Sequence, residues 1–172
     1  MFFLSDFICL TFVFVLFFPS RPEHQACKHA PYGQGPLLKL ANFSARYGLA
    51  GSSDVEAALI NGAFEHISDI RRAHYAIKSD AEKVKVFFST ELPDKIALFE
   101  KNVQGATFIG KSNKVSYADV ALYYLRFVLA SDNKEGVDAA FAACPKVSAA
   151  ADAVEKDEKI VAYIAARKDT KY

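Results

Sequence analysis

The sequence predicts an all-α protein, a bundle of five or six helices over residues 52–172. Three observations carry this. From Ser53 onward, apolar residues recur at steps of three or four, the period of a helix with one buried face. Strand-like alternation appears nowhere after residue 50. Serine and aspartate stand where helices should begin, above all at Ser116 and Asp119, and these side chains satisfy the free amides of a first helical turn.

The first helix is expected over 53–78, with Val55, Leu59, Ala63, Ile67, Ile70, His74 and Ile77 as its stripe and Ser52 or Ser53 as its cap. Ser79-Asp80 breaks that pattern and opens a second helix, with Val84, Phe88, Leu92, Ile96, Phe99 and Val103 on one side and Phe87 flanking. Pro93 lies inside it. A proline there gives up one backbone hydrogen bond and clashes with the carbonyl four residues earlier, so a kink is expected near Ser89–Pro93.

The third helix has the clearest start. Val115-Ser116-Tyr117-Ala118-Asp119-Val120 puts a hydroxyl at the cap and a carboxylate three residues on. Each can accept from the other's backbone amide, and Val115 and Val120 can close a hydrophobic staple around them. Ala118, Ala121, Leu122, Leu125, Val128 and Leu129 then follow as a stripe. The stretch 137–167 is alanine-rich, which suits close helix packing. Pro145 fits the first turn of a new helix with Val147, Ala151 and Val154 inward. Lys156-Asp157-Glu158-Lys159 reads as a solvated connection to a last helix marked by Ile160, Val161 and Ile164.

Composition removes several function classes. With 21 basic and 20 acidic residues among 172, the formal charge is +1, so the chain offers no basic field to a nucleic acid. Cys9, Cys27 and Cys144 are far apart, which supports neither a zinc ribbon, a redox dithiol nor a disulfide framework. His66 and His74 are eight residues apart, not the four of a two-histidine metal face. His24, Cys27 and His29 crowd one short segment, but three such groups without a fourth read as coincidence. No metal site and no glycine-rich phosphate loop is expected.

Residues 1–20 differ from the rest: they hold 7 of the 15 phenylalanines and one charge, Asp6. The twelve residues Phe7 to Phe18, all Phe, Val, Leu, Ile, Cys and Thr, match a signal-peptide core and fall short of the ~20 that span a bilayer. No basic residue precedes them. The segment is read as signal-like or as an anchor, with an opening foreign to the domain as the alternative. Any membrane contact is expected through residues 1–20 alone.

Four stretches, in order, resemble the C-terminal helical domain of cytosolic glutathione S-transferases, most closely the sigma class of invertebrates. They are Arg46-Tyr47-Gly48-Leu49-Ala50-Gly51 before a long helix bearing Glu56, Asn61, Glu65 and Asp69; Leu92-Pro93; Phe108-Ile109-Gly110-Lys111-Ser112 followed by the Ser116–Asp119 box; and Cys144-Pro145-Lys146-Val147 leading to Ile160-Val161-Ala162-Tyr163-Ile164 and Arg167-Lys168. The resemblance implies that 52–172 is the helical domain and that 21–51 is a remnant of a thioredoxin-like domain. It implies glutathione as co-substrate, small hydrophobic electrophiles as partners, a homodimer, and a cytoplasmic location unless residues 1–20 direct the chain to secretion or a membrane.

By the same resemblance, Gln34, Gly35 and Pro36 correspond to glutathione-binding positions, either a Gln-x-Pro segment at the cysteinyl part or a pair facing the γ-glutamyl carboxylate. Asp69 corresponds to an acidic position near the dimer interface and the partner's glutathione, although an exposed acidic face beside Arg71 and Arg72 is the plainer reading. Tyr75 and Ile77 correspond to electrophile-pocket positions, with ordinary packing as the alternative. Ser116 and Asp119 are assigned to capping. No catalytic residue is assigned, because no strand–Tyr–helix segment that would activate a thiol is legible in the first fifty residues. Conjugation by this sequence is therefore expected to be weak or absent, and a non-catalytic ligand-binding or dimerisation module is the alternative.

Overall fold

The computed structural model describes residue 44, residues 48–158, and residues 161, 162 and 165. The readings placed on the hydrophobic opening, on Gln34, Gly35 and Pro36, on the His24–His29 cluster and on most of the last helix lie outside the described residues. Among the described residues there is no strand. The helices are α1 (Asp54–Ile77), α2 (Ala81–Val86), α3 (Leu92–Glu100), α4 (Tyr117–Ala142) and α5 (Pro145–Glu155). Residues 158, 161, 162 and 165 are helical as well.

Five residues of π-helix, Phe87–Glu91, join α2 to α3 without a break, so the two form one rod. This is the irregularity expected at Pro93, and its form has a physical cause. Proline cannot donate to the carbonyl of Ser89, and its ring would collide with that oxygen in a regular helix. Widening the turn by one residue moves the carbonyl aside. The Leu92 amide accordingly bonds Phe87 rather than Phe88.

The longest helix, α4, forms the middle of the bundle and packs on α1, the π-helix, α3 and α5. Its first nine residues, from Tyr117 to Leu125, are all buried. The sequence stripe found part of this surface and missed Tyr117, Val120, Tyr123 and Tyr124, because a helix packed on several sides shows no single face. The helix also runs beyond the expected stripe. It bends at Asn133, whose backbone leaves the helical region (φ −152, ψ 88), and a second limb buries Val137, Ala140 and Phe141.

One half of the expected α1 stripe is corrected. Val55 and Leu59 are 73% and 45% exposed, and Glu56, Ile60 and Phe64 take the inward positions. Glu56 turns inward with its carboxylate bonded there, and a run in steps of four drifts about 40° per step around a regular helix, which carries Leu59 and Val55 off the buried face. The lower half follows the sequence: Ala63, Ile67, Ile70 and His74 are buried. On the other helices Phe87, Phe88, Leu92, Ile96, Phe99, Val147, Ala151 and Val154 occupy the core.

Apart from α3, which continues the π-helix and has no side-chain cap, the labelled helix starts are each matched by a carboxylate. Asp80 accepts from the Lys83 amide at α2 (3.2 Å). At α5 the cap position, Cys144, makes no side-chain bond. There Glu100, from the end of α3, accepts from the Lys146 and Val147 amides at 3.0 and 2.8 Å. Carboxylates suit these places because unpaired amides and the helix dipole both favour negative charge.

Candidate functional site

The segment between α3 and α4 is the most elaborately held loop among the described residues, and two carboxylates from different helices hold it. At α1, the Ser53 hydroxyl accepts from the Glu56 amide (3.2 Å). Glu56 Oε2 accepts from the Ser52 amide at 2.8 Å and from the Ser52 hydroxyl at 2.6 Å. Its other oxygen, Oε1, accepts from the Ser112 amide at 2.7 Å. The bond from the Ser52 hydroxyl, then that from the Ser112 amide, pull the Glu56 carboxyl down from 4.5 to about 2.

Two glycines make room for this carboxylate. A Cβ on Gly51 would lie 2.8 Å from Glu56 Cγ, at a backbone φ of +93 that side chains rarely adopt. A Cβ on Gly110 would lie 2.7 Å from Glu56 Oε1.

At α4 the reciprocal box is complete. Asp119 Oδ2 accepts from the Ser116 amide (2.8 Å) and hydroxyl (2.6 Å), and the Asp119 amide donates back to Ser116 Oγ at 3.4 Å. Asp119 Oδ1 reaches into the loop and accepts from the Ile109 amide at 2.8 Å. The side chain has no exposed surface. Burial is the largest influence on its carboxyl and pushes the pKa up; the bonds from Ser116 and Ile109 pull against it. Between the two carboxylates sits Asn113, in the left-handed region (φ 53), a conformation asparagine tolerates. Its Oδ1 accepts from the Thr107 and Phe108 amides at 2.7 and 3.2 Å.

Beside this loop, the Tyr117 hydroxyl donates to Asn61 Oδ1 at 3.1 Å. Burial, then the nearby Glu65 charge, push Tyr117 up to about 12. Its ring leans on Phe64 with centroids 5.4 Å apart. A phenol so placed stays protonated near neutrality and serves as a donor.

Three of the predicted site residues, Asp69, Tyr75 and Ile77, lie on α1. Asp69 is exposed and pairs with Arg72, which also lies 3.9 Å from Glu65. Tyr75 is 59% exposed. Ile77, two residues on and therefore ~200° round the helix, packs against the core. The structure thus brings Asp69 and Tyr75 to the surface and does not bring Tyr75 and Ile77 to one pocket. A shallow groove between α1 and α4 is lined by Phe64, Ile67, Ser68, Tyr124 and Leu125, with Arg71 also at its wall.

The remaining chemistry-bearing groups sit in packing roles. His66 stacks edge-on against Phe99 (5.4 Å), and Cys144 is buried. Among the described residues no cluster of three metal-ligating side chains exists, and no helix is long and apolar enough to cross a membrane. The hydrogen-bonding roles of Glu56, Asn113, Tyr117 and Glu100 were missed by the sequence reasoning. For Glu56 a signal was available: Ser53-Asp54-Val55-Glu56 has the spacing of a capping box. The contacts made by Asn113 and Glu100 depend on tertiary packing and carry no local signature.

Comparison with known proteins gives a consistent result. Residues 66–167 match the family described as "Glutathione S-transferase, C-terminal domain". A curated relative, "Glutathione S-transferase P 2" of Bufo bufo, is 34% identical over 109 residues, covering 61% of this chain and 50% of the relative. The chain thus spans about half the length of that curated relative. Among solved structures, the Onchocerca volvulus Pi-class glutathione S-transferase is similar with a TM-score of 0.65 at 20% identity, over 76% of this chain and 64% of that one. The structure named NaGST-2 gives 0.60 at 21% identity, over 78% and 69%. These two likenesses establish the fold.

Proposed function

Because this chain belongs to the glutathione S-transferase family through its C-terminal helical domain, we propose that residues 52–172 serve as the ligand-side half of a glutathione transferase. In that role they supply an apolar wall for small electrophiles and a surface for a second subunit, and they do not activate the glutathione thiol. The observation that carries this is the state of Tyr117. It is the tyrosine nearest the ordered loop, its hydroxyl is committed to Asn61, and its pKa is pushed up to about 12. Thiol activation needs a group that stabilises the thiolate. Tyr117 is engaged elsewhere.

Glutathione contacts are assigned, as part of the same proposal, to Gln34, Gly35, Pro36 and Asp69, and electrophile contacts to Tyr75 and Ile77. The exposure of Asp69 and Tyr75 on one helix supports access to both. Residues 21–51 are proposed as part of a thioredoxin-like domain. The class is proposed as sigma on the motif pattern of the sequence, alongside relatives whose printed names are P and Pi class. The decisive experiment is conjugation of glutathione to a generic aromatic electrophile by the chain as written. The expected result is turnover close to the uncatalysed background; robust turnover would overturn the proposal.

A second reading, a non-catalytic dimerisation or ligand-binding module, has its own observation. Val55 and Leu59 lie exposed one turn apart on α1. Gly62, on the same face, has open space where a Cβ would stand, although glycine inside a helix costs roughly 0.5–1 kcal/mol. A face of this kind suits close approach by a second copy. Sedimentation should give a dimer that Leu59→Glu converts to monomer. Binding of a hydrophobic dye without retention on a glutathione resin would favour this reading over the transferase one.

A further inference from the structure

We infer that His74 is an acid-sensitive latch: neutral, it lets the second limb of α4 seat against the π-helix; protonated, it drives Asp132 to reorient and loosens that limb. His74 lies in the last turn of α1 and is only 3% exposed. Its ring packs on Phe87 and Phe88, the first residues of the π-helix, at centroid separations of 5.3 and 5.5 Å. Its Nε2 has no hydrogen-bond partner, although Asp132 Oδ2 is 3.3 Å away. The distance is right for a bond and the alignment is not, so a proton on Nε2 can be answered only if the carboxylate turns.

Asp132 is the residue before the break in α4. Asn133 leaves the helical region there, and its Oδ1 accepts from the Gly136 amide at 2.9 Å, capping the second limb. A Cβ on Gly136 would lie 3.1 Å from Phe88 Cβ, so this limb rests closely on the π-helix. The end of α1, the π-helix and the bend of α4 therefore converge on one imidazole. Turning Asp132 moves the hinge itself.

Two charged groups act on His74. Asp132 faces it from α4, and Lys78, on the segment that ends α1, lies 3.4 Å from the same Asp132 oxygen. The π-helix faces it with the two phenyl rings. Burial lowers the His74 pKa below 6.5, Lys78 adds to that, and Asp132 opposes it. A lowered pKa means that the opened form binds the proton more readily than the closed form. The latch is therefore fully closed above about pH 6.5, weakens as the pH falls below that, and stops weakening once the closed form is also protonated.

The test is amide exchange at Gly136, whose bond to Asn133 reports the hinge, followed from about pH 7.5 to about pH 5 and corrected for intrinsic chemistry. Exchange at Gly136 should rise as the pH falls below about 6.5, while the Asp119 and Val120 amides stay protected. His74→Phe should flatten the response. His74→Gln must do the same, so a poorly folded phenylalanine variant does not decide the result. Lys78→Ala should shrink the response. An unchanged acid response in both His74 variants, or no response at Gly136 in the parent chain, would overturn the inference.

Discussion

The first turns of α1 and α4 face the same problem, unpaired amides at a helix start, and use the same groups to different ends. Each has a serine at the cap and a carboxylate three residues on. Each carboxylate bonds its own helix start with one oxygen and the loop with the other, Glu56 to Ser112 and Asp119 to Ile109. They differ in surroundings. Hydrogen bonds dominate at Glu56 and take its carboxyl down to about 2. Burial dominates at Asp119 and pushes its carboxyl up. The shared motif fixes the helix starts, and the local dielectric decides what that does to a charge. Together the pair anchors the loop to both helices, a fixed edge against which the exposed side of α1 can present its residues.

The sharpest way to break this comparison is Asp119→Ala. It strands the Ser116 and Ile109 amides in the core, and each buried unsatisfied donor costs roughly 1–3 kcal/mol. Thermal or denaturant unfolding should show a loss of about 3–5 kcal/mol, the largest of any single change at these helix starts. A loss below about 1 kcal/mol, the scale of an exposed cap in a peptide, would mean that burial adds nothing.

Glu56→Gln should rank second, at about 1–3 kcal/mol, and it should also carry a pH signature. The folded pKa of Glu56 is depressed, so its stabilisation is fully present above 4.5 and is lost as the pH falls towards about 2. Acid unfolding of the parent chain should steepen across that window, and the glutamine variant should be flatter there. Equal acid profiles would remove Glu56 from the account.

Glu100→Ala sharpens the contrast further, because it removes a cap supplied from another helix. A loss of about 1 kcal/mol is expected, with fraying confined to the start of α5, visible as faster exchange at Lys146 and Val147. Smallest of all should be Asp69→Ala. Its pairing with Arg72 is exposed, and such pairs contribute between about 0 and 1 kcal/mol. Weaker glutathione binding by calorimetric titration, without a change in stability, would support its assignment to the glutathione site.

The α4 start was legible because every part of its box lies within six consecutive residues, Val115 to Val120, and the hydrophobic periodicity behind it continues for several turns. The disturbance at Pro93 was legible for a similar local reason, a missing donor and a steric clash. Its outcome as a π-helix was not, since the choice between bending and widening depends on how Phe87 and Phe88 pack. At α1 the apolar spacing points Val55 and Leu59 into the core, yet Glu56 takes the inward position. A carboxylate that gains three donors can outcompete a valine for an inward position, and two of those donors adjoin it in sequence while the third, Ser112, is visible only in the fold. The bend at Asn133 and the cap from Glu100 are likewise tertiary. At the site, the exposure of Asp69 agrees with an exposed acidic face, the exposure of Tyr75 does not follow from the sequence pattern, and the separation of Tyr75 from Ile77 follows from helix geometry and was available from their spacing.

One exchange experiment tests directly whether the two locks act as a unit. Amide protection at Ser112, which donates to Glu56, and at Ile109, which donates to Asp119, is compared in the parent chain and in Glu56→Gln. If the loop is held jointly, the single change should speed exchange at both amides together. Release of Ser112 alone, with Ile109 as protected as before, would contradict it.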